Sequence, residues 1–596
     1  MTNHQNKLSR FWQELKRRRV IHVITVYASA AFVIIELVGN LTEPLNLPAS
    51  LSTIVIIVLA VGFPLAIVLS WLYDLTSGTF ERTKPLEDLP EEKKVKVPNA
   101  WKIATYVSFV VIAGLIVLNI TSRSDLIKPG MIQSLVVLPF DNYTGDEQLD
   151  YVAAGMHASL IGDIGKVSAL RVIGKTSSSA YKDSGKSAPD IAKEANVDIL
   201  IEPTLTCYGD TVCILLRAVK PFPEEKQVWV AEYREDKRKI LSLWNEVVKQ
   251  IADEVKVELT PEEKQLLTKS ILVDREAYDA YLKGSLYWDD LSSESLFKAL
   301  DYLTTAVEKD PDWAPLYSGL AKVWVALAQI GYEPAEVAGP KIFENIQKAM
   351  ELDPDLPDLH YTLGLIAVWT EWDFEKGEQE FLKALKINPN DVLSRIYYSH
   401  LLTIMKRYDE AIYHSQIAAE LDPMNPLVLT LSAMVDFMGE ENQDLYNRAL
   451  EKSKRALELD PENFFASNGF EYASYLLGDY KNSIEAFLKF NPFDSETKKV
   501  ILKVFRENDY YAAIDTMLFY MEELAANNLI RNDLMIDFYN RAGNTEKIIE
   551  WFIKAFESHD PMMPYLILPV YGYDKIKEDP RIVSIVEKMN FPWASI

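Results

Sequence analysis

Proline recurs at a regular interval through the second half of this 596-residue chain, each time directly after an aspartate or an asparagine. The residues are Pro311, Pro354, Pro389, Pro423, Pro461 and Pro492, and the spacings are 43, 35, 34, 38 and 31 residues. Because the proline ring clashes with the preceding helical turn, each of these prolines stops a helix. The interval leaves room for two helices, so it predicts a row of helix pairs that begins near residue 275.

Small residues hold fixed places in the predicted pairs. Five residues before the first five prolines stand Ala306, Ala349, Ala384, Ala418 and Ala456. Seven residues before three of these alanines stand Ala299, Ala411 and Ala449, and Gly377 holds that place in the unit that ends at Pro389. Phe487 replaces the alanine of the sixth unit. Small side chains let paired helices approach closely, and a period of about 34 residues is the signature of tetratricopeptide (TPR) repeats. The pattern predicts a TPR α-solenoid over residues 275–493, followed by degenerate or capping helical repeats over 494–596.

A different pattern precedes the repeats. From Ser134 a short apolar run ends in polar turn residues, and short apolar runs then alternate with amphipathic stretches to about residue 260. The order β-α-β-α-β-β-β-α predicts one α/β domain over residues 132–260, after a linker at 121–131. The expected fold class is therefore mostly α with one α/β domain.

Several blocks of this domain resemble the TolB N-terminal-like family. The resemblance lies in residues 136–140, 151–156, 170–177, 199–202 and 229–233. It implies a periplasmic, non-catalytic module that is often followed by TPR repeats. It also implies relatives whose cytoplasmic end carries an adenylate cyclase or a winged-helix transcription domain, although the first 19 residues here are too few to fold into either.

Three apolar stretches lie before the α/β domain, at residues 20–41, 54–73 and 103–120. Each has about the ~20 residues with which a helix crosses a membrane. They predict a three-helix transmembrane anchor over residues 20–120, behind a short cytoplasmic basic segment at 1–19. Glu36 in the first stretch is either a functional intramembrane carboxylate or a side chain that reaches the lipid headgroups.

Basic residues around these stretches predict an orientation. They crowd the segment before the first stretch and the loop before the third, but no Lys or Arg lies between Leu41 and Ile54. Because positive residues stay on the cytoplasmic side, the N-terminus is expected in the cytoplasm. The chain is thus expected to be a multi-pass inner-membrane protein with residues 121–596 in the periplasm.

The two cysteines, Cys207 and Cys213, flank Gly209 and Asp210 on the arms of a predicted hairpin. If Asp210 is the centre of a three-residue turn, the cysteines oppose each other within disulfide range. A two-residue turn would offset them, so the sequence leaves the bridge open.

The net charge of the sequence and its lack of complete catalytic motifs argue against several functions. A formal charge of -25 without a basic stripe argues against a nucleic-acid partner. No Cys or Ser nucleophile has a plausible His partner, and no histidine pair has metal-ligand spacing. Gly174-Lys175-Thr176 copies the end of a phosphate-binding loop, but Ala169 stands where that loop needs its first glycine, and no helix is expected directly after it. We therefore expect no enzyme activity, no cofactor and no metal.

A solenoid presents an extended concave groove, so protein or peptide partners are expected there. The leading interpretation is an extracytoplasmic, membrane-anchored scaffold. The alternative is a sensor subunit that passes a periplasmic signal to a cytoplasmic effector, and an enzyme with an unrecognised site is the weakest. Neither the partner nor the oligomeric state follows from the sequence. The first helix of each pair is expected to line the groove, and the candidate contacts are Tyr317, Lys322, His360, Arg395, Tyr398 and Glu471.

Overall fold

The computed structural model describes residues 132–222, 224–269, 271–288, 291–439, 441–527 and 529–591, with short pieces before residue 83. The chain divides into two compact units, Met1–Lys128 and Pro129–Ile596. In the first unit, strands β1 (Tyr73–Thr76) and β2 (Thr79–Arg82) pair as an antiparallel hairpin. The hydroxyl of Tyr27 donates to the carbonyl of Leu59 over 2.8 Å.

The structure contradicts the predicted fold class in its three transmembrane helices. In the part of the chain that the structure describes, no helix is both long and apolar enough to cross a membrane. A crossing helix needs about 20 apolar residues, whereas the second predicted stretch ends in the β-strand Tyr73–Thr76. The predicted anchor is wrong on this finding, and so is the multi-pass inner-membrane location with residues 121–596 in the periplasm. Most residues of the three stretches, Glu36 included, lie outside the described residues.

The second unit begins with the α/β domain. Its strands are β3 (Ser134–Val137), β4 (Asp141–Asn142), β5 (Arg171–Val172), β6 (Ile199–Tyr208), β7 (Thr211–Lys220) and β8 (Lys226–Asp236). The sheet order is β5-β3-β6-β7-β8, with β4 also on β6. Strands β3, β4, β5 and β6 run parallel, and β6, β7 and β8 form an antiparallel meander. The helices are α1 (Asp150–Ile164), α2 (Lys175–Ser179), α3 (Ala188–Ala195), α4 (Ile240–Glu254) and α5 (Pro261–Leu266).

Helix pairs follow from residue 275 to residue 557. They are α6 (Arg275–Trp288) with α7 (Ser293–Lys309), α8 (Ala314–Ile330) with α9 (Ala335–Leu352), α10 (Pro357–Ile366) with α11 (Phe374–Ile387), α12 (Val392–Ile404) with α13 (Tyr408–Leu421), α14 (Pro426–Met438) with α15 (Gln443–Leu459), α16 (Phe464–Leu476) with α17 (Tyr480–Phe490), α18 (Ser495–Glu507) with α19 (Tyr510–Ala526), and α20 (Asn532–Arg541) with α21 (Thr545–Glu557). A π-helical turn, Ala367–Glu371, extends α10. The described part of the second unit is therefore mostly helical, with a TPR-like solenoid and one sheet.

The marker residues explain where these helices end and pack. The N–H of Asp310 donates to the carbonyl of Ala306 over 2.9 Å and so closes the last turn before Pro311. The same bond recurs at the next four prolines, and all five alanines are fully buried: Ala306, Ala349, Ala384, Ala418 and Ala456. Because the alanine side chain is small, the two helices of each pair lie close together at these positions.

A segment of another kind follows the helix pairs. Residues 561–576, which we call the closing segment, contain three separate 3-10 turns, Met563–Tyr565, Pro569–Tyr571 and Tyr573–Lys575. Helix α22 (Pro580–Lys588) follows. The closing segment is thus an irregular stretch of polypeptide and not another helix pair.

Candidate functional site

The first helices of successive pairs form a continuous layer. Helices α8, α10, α12, α14 and α16 contact one another in order along the chain. We call this layer the inner face. All six side chains on which a partner-binding function was predicted lie on these helices.

The closing segment lies on the inner face. The hydroxyl of Tyr565 is 2.9 Å from Nδ1 of His400 on α12, and the Tyr565 ring packs against Trp369 at 6.2 Å. Further along, the carbonyl of Val570 accepts hydrogen bonds from the hydroxyl of Tyr472 over 2.8 Å and from Nδ2 of Asn540 over 3.2 Å. Helix side chains therefore bind both a side chain and the main chain of the segment.

Hydrogen bonding determines which ring nitrogen of His400 carries the proton. Its Nε2 lies 3.0 Å from the carbonyl of Leu431, which can only accept, so Nε2 carries the proton. Burial lowers the pKa of His400 to about 4, so the ring is neutral at pH 7. In the neutral ring Nδ1 is an acceptor, and the hydroxyl of Tyr565 donates to it.

A buried ionic cluster lies beside the second anchoring point. The fully buried guanidinium of Arg541 lies 2.6 Å from Glu471 and 2.6 Å from Asp537. It also donates to the hydroxyl of Tyr510 over 2.9 Å and stacks on the ring of Tyr475 at 4.1 Å. The cluster joins helices α16, α19 and α20.

Burial and charge act in opposite directions within this cluster. Burial raises the pKa of Asp537 to about 7, although Arg541 alone would lower it. Burial alone would lower the pKa of Arg541, but Asp537 and Glu471 outweigh it and hold the pKa well above its ordinary value. One cation therefore compensates two carboxyl groups.

A more accessible part of the inner face lies at the earlier pairs. Lys322 on α8 places Nζ 3.0 Å from the carboxylate of Asp358 and 4.9 Å from the centre of the Trp288 ring. The Asp358 side chain is 50% exposed. Burial would lower the pKa of Lys322, but Asp358 outweighs it and raises the pKa, so the ammonium stays charged. The Lys322 side chain is itself 18% exposed, so a largely buried ammonium lies beside a half-exposed carboxylate and an aromatic ring.

The six predicted contact residues take part in contacts within the chain. Tyr317 donates to the carbonyl of Pro311, Lys322 pairs with Asp358, His360 with Glu380, Arg395 lies against His414, Tyr398 donates to Glu378, and Glu471 binds Arg541. Tyr398 and Glu471 are buried, at 3% and 5% exposure, whereas the other four are partly exposed. Sequence reasoning missed His400 and Asn540, since nothing local marks them as contacts of a distant segment.

The turns between helix pairs form a second contact surface, against the α/β domain. Nδ2 of Asn390 donates to the carbonyls of Gly165 and Leu170 over 2.9 and 2.8 Å. The carboxylate of Asp422 accepts from the backbone N–H of Ser177 over 2.7 Å and from its hydroxyl over 2.5 Å. Asp422 is 3% exposed, and burial raises its pKa. The Asp-Pro and Asn-Pro turns therefore hold the α/β domain as well as ending helices.

Gly174 has a structural role at this surface. A short helix, Lys175–Ser179, does follow it, contrary to the expectation from sequence. A Cβ at Gly174 would lie 2.6 Å from Cγ of Asp422, so only glycine permits this close approach. The phosphate-loop-like residues are thus part of the contact between the α/β domain and the repeats.

The remaining chemistry-bearing residues are placed as follows. Cys207 and Cys213 oppose each other on β6 and β7, with Cα atoms 4.8 Å apart, and form a disulfide. Tyr208 pairs with Val212, so Asp210 is the centre of a three-residue turn. Among the described residues, no group of three or more His, Cys, Asp or Glu side chains is placed to hold a metal ion.

Fold and site together define a helical-repeat protein with an α/β domain docked on its turns. No family model matches the chain. Over 241 residues it is 28% identical to putative adenylate cyclase 3 of Rhizobium meliloti, a match that covers 40% of this chain and 40% of the relative. Over 143 residues it is 29% identical to the transcriptional regulator HilA of Salmonella typhimurium, which covers 24% of this chain and 26% of HilA. The chain thus spans less than half the length of either relative.

Solved structures similar to this chain include TPR proteins. YrrB, described as a TPR protein with an unusual peptide-binding site, is 21% identical, with a TM-score of 0.21 over 32% of this chain and 89% of its own. A thermophilic TPR protein of Thermus thermophilus is 15% identical, with a TM-score of 0.28 over 33% of this chain and 99% of its own. PilW, described as a widely conserved type IV pilus biogenesis factor, is 14% identical, with a TM-score of 0.29 over 37% of this chain and 98% of its own.

Proposed function

We propose that this chain is a scaffold that binds other polypeptides through the inner face of its helix pairs. One observation carries the proposal: the inner face holds an irregular polypeptide, the closing segment, through side-chain donors to a main-chain carbonyl. Tyr472 and Asn540 supply those donors. Main-chain hydrogen bonds are a recurrent source of affinity for bound peptides, so this surface has the chemistry that peptide binding needs.

The accessible contacts are proposed to lie at the earlier helix pairs. Lys322 and Trp288 present a charge beside an aromatic face, and aromatic residues are enriched among the side chains that dominate binding energies. His360 is partly exposed on α10, the next first helix along the chain, and is a further candidate. The α/β domain is proposed to be a TolB N-terminal-like module, supported by the sequence blocks that resemble that family.

A direct test is partner capture by the full chain and by two matched double variants. Trp288→Ala/Lys322→Ala alters Lys322 of the inner face and the aromatic ring at the end of α6 that lies beside it, and Phe343→Ala/Lys348→Ala alters the exposed surface of α9, where Phe343 is 69% exposed. Captured proteins are quantified by mass spectrometry, and circular dichroism checks that helical content is unchanged. The inner-face variant is expected to lose partners that the α9 variant retains. Equal capture by both variants would contradict the proposal.

A second candidate function is the binding component of a signalling system. It is favoured by similarity to proteins named a putative adenylate cyclase and a transcriptional regulator. Capture of a cyclase or of a DNA-binding regulator in the same experiment would favour this candidate over a purely structural scaffold.

A further inference from the structure

The closing segment contacts the inner face as a bound peptide does. Each of its turns is a single 3-10 turn, and Pro564 and Pro569 keep it from forming a helix. It buries apolar side chains almost completely, and the most buried are Met563, Leu566, Ile567 and Leu568, each at 1% exposure or less. It is thus a ligand-like element laid on a surface that the helices build.

Side chains of the helix pairs contact three features of the closing segment. A tyrosine places its hydroxyl on His400 and its ring against Trp369. A run of apolar side chains fills the space after it. A main-chain carbonyl then meets Tyr472 and Asn540. These contacts describe the kind of polypeptide the surface fits: a short, apolar, proline-containing segment with a tyrosine before the apolar run.

The covalent connection explains how such a site is kept closed. The segment follows α21 directly, so its concentration near the inner face is that of a short tether, on the order of millimolar. To displace the closing segment, a partner segment has to bind the inner face more strongly than the tethered segment does at this local concentration. Burial of apolar side chains favours the closed arrangement, whereas ordering a long irregular stretch opposes it, so the two effects offset each other.

We propose that the inner face at α12 and α16, with Asn540 of α20, is a peptide-binding groove that the closing segment occupies, and that partner segments of the same chemistry bind by displacing it. This inference rests on the proposed function, that the inner face binds polypeptides. It adds the chemistry of the partner and a competing segment that sets the threshold for binding.

The test uses the full chain and a fluorescent synthetic peptide of residues 561–579. The variant Tyr565→Ala/Leu568→Ala/Tyr571→Ala weakens the resident segment and changes no residue of the helices; circular dichroism checks that helical content is retained. By fluorescence anisotropy the variant is expected to bind the peptide at least about tenfold more tightly than the unaltered chain does, because the tethered competitor is weakened. A peptide with the same three substitutions is expected to bind about tenfold more weakly.

Each outcome decides between the claims. If the variant keeps its helical content and binds no peptide, the inference is overturned, while the capture experiment judges the scaffold separately. If variant and unaltered chain bind the peptide equally, the repeats bind polypeptides but the segment does not compete, and the displacement is overturned.

Hydrogen exchange on the unaltered chain keeps the inference falsifiable if the variant misfolds. Amides of residues 561–576 are expected to exchange at least about tenfold faster than those of α12 and α16, since the segment opens without the helices. Equal protection would show that the segment is a permanent part of the core and would overturn the inference.

Discussion

Replacing Arg541 by methionine tests the account of the buried cluster. The change keeps much of the side-chain volume but leaves the carboxyl groups of Glu471 and Asp537 without the cation that lies 2.6 Å from each. Removing one partner of a buried ion pair costs about 3–5 kcal/mol, because an uncompensated charge stays in the interior. Since the pKa of Asp537 is already about 7, this group takes up a proton readily and the cost at pH 7 falls near the lower end, about 3 kcal/mol.

The assay is urea unfolding of the full chain followed by circular dichroism at pH 7. Arg581 is a matched control, since it also lies between two carboxylates, Glu546 and Asp579, but its side chain is 47% exposed. Arg581→Met is expected to change the free energy of unfolding far less, because water solvates the remaining charges. Adding Glu471→Gln and Asp537→Asn to Arg541→Met should recover most of the loss. Equal losses for Arg541→Met and Arg581→Met would refute the reasoning.

Three further predictions concern packing, the domain contact and pH. A Cβ at Gly377 would lie 2.4 Å from Val368, so Gly377→Ala is expected to cost about 1–3 kcal/mol of unfolding free energy. Gly339→Ala, at an open helical site, should cost nothing, and the two variants are compared by their urea unfolding midpoints. Asp422→Ala strips buried donors of their acceptor and should cost about 1–3 kcal/mol, with faster hydrogen exchange in residues 174–179; unchanged exchange would count against the contact. Because the pKa of Asp537 in the folded chain is raised to about 7, its contribution to the unfolding free energy is greatest at low pH and is lost as the pH rises to 7. Asp537→Asn should therefore flatten the decline in unfolding free energy between about pH 4 and pH 7. An unchanged pH profile would contradict this.

The sequence predicted the elements that depend on local rules. Prolines that end helices and alanines spaced to let them pair depend only on neighbours along the chain, so the helix pairs were predictable. The expected small-residue position at Gly377 is also where the structure has no space for a Cβ.

Long-range features were not predictable in the same way. Apolar composition and basic flanks predicted a membrane anchor, yet the structure has no helix suited to it among the described residues. The closing segment lies far along the chain from His400, and no spacing rule links them. Helical periodicity places Tyr398 and Glu471 among the polar or aromatic positions off the buried stripe, but contacts between helices bury both. Asp422 is one of four aspartates that directly precede a repeat proline, so its bond to Ser177 had no sequence signal.

The central claim is that polypeptides bind the inner face of the helix pairs. A photoreactive amino acid in place of Lys322 on the inner face, and in a second variant in place of Lys348 on α9, tests it in cells that produce the chain. The account predicts that light-dependent crosslinks to partner proteins form from position 322 and not from position 348. Crosslinks from position 348 alone would contradict it.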